Sequence, residues 1–298
     1  YLSHKYTTVT PTGADFTFSP IPTRSKQWNK LSQNEYDVLI IGGGIAGTAC
    51  ALEAISRGFN VALVEKGDFA SMTSSRSSKL VHGGIRYLEQ GFKQLDPSMF
   101  SLVHEALRER SHMLSAAPHA TRALSLLIPL THWWEVAYMG IGTFLYDCLA
   151  LFEKFPRCQI VSKTTAQQLF PALDTEKLGM VAGLVYYDGQ MNDARYTLGL
   201  ALSAAEKGAT VLNYTQVTDL LHDPVTGAVC GAHVVDVLDN GDDNGNSSDN
   251  VGATIRAKTV INAAGAYADA IRLMDDKEAV PLVVPSAGTH ITLPSILC

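Results

Sequence analysis

The chain has 298 residues, 46% of them hydrophobic and 17% charged, and a formal net charge of -6. That length is enough for two domains, or for one large α/β unit carrying a smaller layer, and enough to bury a core. An acidic balance without a large basic patch argues against nucleic acid as the main partner. The cysteines at 50, 148, 158, 230 and 298 form no C-x-x-C pair and no metal-ligand spacing, so neither thiol-disulfide nor zinc chemistry is expected.

Residues 1 to 30 are rich in Thr, Ser and Pro and show no sustained period. They read as an extended arm or the tail of a removed presequence, with a strand docked on the body as the alternative. YDVLII (36 to 41) reads as a buried parallel strand that runs straight into a glycine turn. Residues 45 to 57 read as its helix, with Ala46, Ala49, Ala51 and Ala54 small enough to sit close to a sheet and Gly58 placed to end it. NVALVEK then gives a second strand ending at Glu65.

This β-α-β context, within about 30 residues, makes Gly42, Gly44 and Gly47 a G-x-G-x-x-G dinucleotide fingerprint. Gly42 permits the tight turn, Gly44 lets the backbone approach a pyrophosphate, and Gly47 allows close packing of the helix whose N-terminus receives the anion. Glu65 is placed to accept hydrogen bonds from the ribose hydroxyls, and an acid there disfavours a 2'-phosphate. The motif disfavours NADP and by itself leaves NAD and FAD open.

ASMTSSRSSKLVHGGIRYLEQG (70 to 91) follows directly. Its hydroxyls and paired glycines suit the phosphate and ribitol of a longer cofactor, with Ser75, Ser78, Lys79, His82, Gly83 and Gly84 as candidate contacts. A polar surface loop is the plain alternative, but Gly83 and Gly84 beside Arg86 and Tyr87 favour close approach to a ligand. Helices are expected at about 97 to 116 and 164 to 170. Between them, the apolar run Trp133 to Phe152 is interrupted by Glu135, Asp147 and two glycines, too broken for a spanning helix. It reads as a core helix or loop, and second as a surface patch that dips into a membrane.

Residues from Asp193 read as a helix stopped at Gly208 and followed by a strand, with Val217 just beyond it. Asp193 and Arg195 read as an internal charge pair. Residues 239 to 250 are a polar, turn-rich excursion between two strands. AKTVINAAGAYAD (257 to 269) gives a further buried strand entering a glycine turn at Ala264 and Gly265, placed to suit the crevice at a sheet's carboxyl edge.

Taken together, DVLIIGGGIAG, VALVEKGDFASMTSSRSSKLVHGGIRYLE, FSLVHEALRER, DGQMNDAR, NAAGAYAD and SAGTHITLP closely resemble the FAD-dependent glycerol-3-phosphate dehydrogenases, above all the mitochondrial, quinone-linked kind. The resemblance implies an α/β fold with an FAD-binding Rossmann-like domain of the glutathione-reductase/D-amino-acid-oxidase type and part of a β-sheet substrate domain. Residues 1 to 35 would be an N-terminal extension. Residues 36 to 298 would hold a discontinuous FAD-binding domain interleaved with substrate-side segments at about 118 to 190 and 280 to 298.

The implied reaction is oxidation of sn-glycerol 3-phosphate to dihydroxyacetone phosphate, with hydride transfer to FAD and electrons passed to ubiquinone. Arg86 and Tyr87 match substrate contacts of the family, and His290 matches a histidine near the reacting centre, favoured as general base because imidazole takes a proton near neutral pH. His82, Val217, Ala264 and Gly265 fall to the cofactor. The implied location is the mitochondrial inner membrane, held monotopically with Trp133 and Trp134 as contributors; a homodimer is left open. Two departures stand out. Ala266 and Tyr267 replace the family's usual proline and bulky aromatic, and the chain ends in SILC where the family continues, so a fragment is expected. The alternatives are a related flavin oxidase that uses oxygen and a truncated, inactive FAD-binding remnant.

Overall fold

A computed structural model describes residues 20 to 82, 96 to 149, 156 to 238, 252 to 291 and 294. In chain order its elements are α1 (Arg24–Gln33), β1 (Glu35–Ile41), α2 (Ile45–Ser56), β2 (Val61–Val64), β3 (Leu80–Val81), α3 (Pro97–Ala116), β4 (Thr121–Leu130), α4 (Trp133–Leu149), β5 (Gln159–Ser162), α5 (Lys163–Leu169), β6 (Ala182–Met191), α6 (Asp193–Glu206), β7 (Thr210–Leu212), β8 (Thr215–His222), β9 (Val229–Asp236), β10 (Gly252–Asn262) and α7 (Ala268–Asp275). The chain divides into two compact units, Tyr1–Gly67 with Leu200–Ala263 and Asp68–Gly199 with Ala264–Cys298.

The first unit is built on a six-stranded sheet in the order β7-β2-β1-β10-β9-β8. β1 pairs in parallel with β2 and with β10, and β2 in parallel with β7, so VALV of β2 is buried throughout, as the unbroken apolar run of an inner parallel strand requires. β9 and β8 add antiparallel strands beyond β10. α2 buries Gly47, Thr48 and Ala51, whereas Ala46 and Ala49 are exposed. The helical period, rather than side-chain size, selects the sheet-facing stripe.

The reading of residues 1 to 30 as an arm or a docked strand is corrected for residues 24 to 30. They lie in helix α1, which belongs to this unit and seals its edge. The Gln27 side chain accepts a hydrogen bond from the Val211 N–H of edge strand β7 at 2.7 Å, and Arg24 binds Asp236 at 2.7 Å and the Asn213 carbonyl at 2.6 Å. Supplying an acceptor to an edge N–H is one way a sheet avoids pairing with a stranger. β10 also departs from expectation. Only Ile255 and Ala257 are buried, and its second half is partly open.

In the second unit β6 is the shared strand. β4 pairs antiparallel along its whole length on one edge, while β5 and β3 pair with opposite ends of the other. Leu130, Ala182 and Leu184 form a buried cluster, with Val136 and Met139 of α4 packed against it. α3 starts where Asp96 accepts from the Ser98 N–H, with Pro97 in the first turn, a strong N-terminal signal.

α4 is one continuous helix, begun by Glu135, whose carboxylate accepts the N–H groups of Thr131 and His132. It is not a core helix. Trp133 is 73% exposed, Trp134 65%, Ile141 66% and Phe144 67%, although Val136 and Met139 pack inward. Among the described residues no helix is long and apolar enough to cross a membrane.

Candidate functional site

The expected cofactor residues fall into two groups, one in each unit. In the first, β1 delivers the chain to Gly42 at φ +118, a conformation that side chains rarely adopt. The Gly42 N–H donates to the Val64 carbonyl at 2.9 Å, which locks the turn to the end of β2. Gly44 is the N-cap of α2, and no side chain caps that helix. A Cβ on Gly47 would stand 1.9 Å from the Gly42 oxygen and 3.3 Å from the Ala263 Cβ, so helix and turn meet backbone to backbone. An uncapped helix start beneath a glycine turn this tight fits a dinucleotide pyrophosphate.

Glu65, expected to meet a ribose, is held by the backbone. Its carboxylate accepts from the Gly43 N–H at 2.6 Å and from the Gly67 N–H at 2.8 Å. A carboxylate offers about four lone-pair directions, so two remain for hydroxyl donors. Those two bonds fix its orientation across the ends of β1 and β2. Val217 lies in β8 with its side chain buried and its partner Val234 across the ladder.

In the second unit, Ser75 closes a 3-10 turn, Thr73–Ser75, and its hydroxyl donates to the Met72 carbonyl. Ser78 and Lys79 are exposed, and Lys79 adopts φ +62. His82 is exposed, with Nδ1 3.4 Å from Asp188. Gly83, Gly84, Arg86 and Tyr87 lie outside the described residues, as does the 239 to 250 excursion. Ala264 and Gly265 form the expected turn, with Gly265 at φ +57 and the Tyr267 N–H donating to the Ala264 carbonyl. His290 is exposed on a segment without regular structure.

The expected Asp193–Arg195 pair does not form. Asp193 accepts from the Ser77 hydroxyl and lies 3.7 Å from the Lys79 ammonium. Two residues apart in one helix, Asp193 and Arg195 point to different faces. The sequence reading also missed Arg110 and Asp188. Arg110 is almost fully buried, 3.1 Å from the Asp188 carboxylate and 2.8 Å from the Tyr187 carbonyl. Its Nη1 also reaches the Tyr146 hydroxyl, whose pKa is raised chiefly by burial. The FSLVHEALRER helix carried the signal, since Arg110 continues the Val103 and Leu107 stripe. Nearby, burial first and the Asp147 charge second push the Cys158 thiol up to about 12, which favours its protonated form.

The sequence model of the FAD-dependent oxidoreductases matches residues 37 to 297. The mitochondrial glycerol-3-phosphate dehydrogenases of Rattus norvegicus and Saccharomyces cerevisiae are 45% identical over 278 residues and 43% identical over 289. Those alignments take in 92% and 89% of this chain but 37% and 43% of the relatives, so the chain spans less than half their length. The glycerol-3-phosphate dehydrogenase of Bacillus halodurans, solved with FAD, superposes with a TM-score of 0.60 at 30% identity over 85% of this chain and 39% of that one. The L-α-glycerophosphate oxidase of Mycoplasma pneumoniae, at 21% identity and a TM-score of 0.55 over 81% of this chain and 57% of that one, shares the fold alone. With the glycine turn, the β-α-β unit and the family model in agreement, the chain belongs to the FAD-dependent oxidoreductase family, whose cofactor is FAD.

Proposed function

We propose that this chain forms the FAD-binding part and a portion of the substrate part of a quinone-linked glycerol-3-phosphate dehydrogenase. The observation that carries this reading is 45% identity over 92% of the chain, far beyond the glycine turn that any dinucleotide protein shares. Gly42, Gly44 and Gly47 would hold the pyrophosphate and Glu65 the adenosine ribose. Ser75, Ser78, Lys79, His82, Gly83, Gly84, Val217, Ala264 and Gly265 complete the proposed cofactor contacts.

When bound, FAD supplies the hydride acceptor. Three residues of this chain would act on the substrate. Arg86 and Tyr87 bind the substrate, and His290 takes the proton from the C2 hydroxyl as the C2 hydride departs, leaving dihydroxyacetone phosphate. The two electrons then pass to ubiquinone. Because that acceptor is dissolved in lipid, the reading places the protein on the mitochondrial inner membrane, with the exposed aromatic row of α4 as the surface that meets it.

The test is anaerobic. Glycerol 3-phosphate is added to the flavin-loaded chain while absorbance is followed at roughly 450 nm, the region of oxidised flavin. Bleaching with this substrate and none with glycerol is expected. A flavin that stays oxidised would overturn the proposal that Arg86, Tyr87 and His290 suffice to bind and deprotonate the substrate, and failure to retain FAD would overturn the cofactor assignments.

A further inference from the structure

The segment Ser77 to His82 is fastened to Asp188 to Asp193 by backbone and side chains together. The Met191 N–H donates to the Lys79 carbonyl at 3.0 Å, and Leu80 and Val81 pair with Gln190 and Gly189. Beside this ladder, Asp193 is only 2% exposed and accepts from the Ser77 hydroxyl, whose oxygen in turn accepts the Lys79 N–H at 2.9 Å. Among the described residues, one Asp193 oxygen is buried without a hydrogen bond, and its nearest ion-pair partner is Lys79 at 3.7 Å. A carboxylate in such a place is costly unless a charge or dipole answers it, and here the first turn of α6 and the Lys79 ammonium do.

What this arrangement holds in place is unusual. Lys79 sits at φ +62, which a lysine keeps only where its surroundings impose it. Its ammonium is too far from Asp193 for a hydrogen bond and, among the described residues, reaches the Ser75 carbonyl at 3.5 Å. With three N–H donors it has capacity for an anionic or hydroxylated ligand. The Asp193 carboxylate thus lies beside the ammonium without engaging its donors in a hydrogen bond.

We infer that Asp193 is a positioning residue for the cofactor. Through Ser77 it sets the left-handed turn at Lys79, and through its charge it aims the ammonium at the phosphate or ribitol oxygens of FAD. The inference rests on the proposed role of this loop in holding the cofactor, and the experiment separates the two. Lys79 acylation by an amine reagent is measured by mass spectrometry in the wild type and Asp193→Asn, alongside FAD affinity by fluorescence titration of the apoprotein.

Loss of the pair is expected to speed Lys79 acylation by about two- to fivefold, the scale of a partly exposed ion pair. FAD binding is expected to weaken by about tenfold, the scale of a charge-assisted contact. Unchanged acylation overturns the steering role. Faster acylation with unchanged FAD affinity instead overturns the assignment of the loop to the cofactor. Lys79→Met leaves the buried carboxylate in place and serves where Asp193→Asn does not fold. It should weaken FAD binding as much, and an unaltered affinity overturns the inference.

Discussion

A methyl group on Gly47 would stand 1.9 Å from the Gly42 carbonyl oxygen, inside any permitted contact, and neither the Cβ, fixed by the helix backbone, nor the backbone oxygen can rotate away. Gly47→Ala must therefore pull α2 off the turn. It is expected to cost about 3 kcal/mol of stability, the upper range of overpacking, and to abolish FAD retention. Urea unfolding and the flavin content of the purified variant check both, and a variant that keeps its flavin at wild-type stability would show that the turn has slack. At this scale the fingerprint was legible because spacing alone identifies it. Asp193 was misread because its partners, Ser77 and Lys79, lie over a hundred residues away, and nothing local in DGQMNDAR distinguishes a long-range anchor from a neighbouring pair. The Gly43 bond to Glu65 was hidden because it depends on how β1 and β2 end side by side, whereas the Gly67 bond is a local one from two residues further on.

Elements were read more faithfully where one physical signal dominates. β1 and β2 follow from apolar runs, and α3 was read at its observed bounds, while α4 misled because an almost wholly apolar helix resembles core until its exposed side is seen. α7 illustrates an anchor that titrates. Asp269 at its start accepts the N–H groups of Val283 and Leu282 and pairs with Arg272, which itself reaches the Val280 carbonyl. The Val283 N–H foremost, then Arg272 and the Leu282 N–H, hold its carboxyl below the ordinary value of 3.8. A lowered native pKa contributes stability that is complete above the unfolded value and is lost as the pH falls through the native one. Amide exchange at Leu282 and Val283, normalised to intrinsic rates, should therefore lose protection between about pH 5 and pH 2. Protection that persists there would mean that packing, not this carboxylate, holds the segment.

Across the whole molecule, each unit is assembled from distant pieces, Tyr1–Gly67 with Leu200–Ala263 and Asp68–Gly199 with Ala264–Cys298. That division was the least legible feature, because strand patterns reveal that strands exist but not which ones pair. The exposed face of α4 gives a test at this scale. Trp133→Ser with Trp134→Ser should leave stability within about 0.5 kcal/mol per site, as exposed substitutions do. Sedimentation with phosphatidylcholine vesicles should fall by about tenfold or more, given the apolar area removed. Unchanged sedimentation would remove α4 from any lipid contact.

The place of β10 next to β1 also dictates an order of events during synthesis. Ile41 pairs with Asn262, so about 220 residues must be made after β1 before its second neighbour exists. At roughly 5 to 20 residues per second the ribosome needs about 11 to 44 s to supply it. Through that interval the nascent EYDVLII segment has one unpartnered edge, which makes it the natural point of engagement for a chaperone and the first place where crowded chains would pair wrongly.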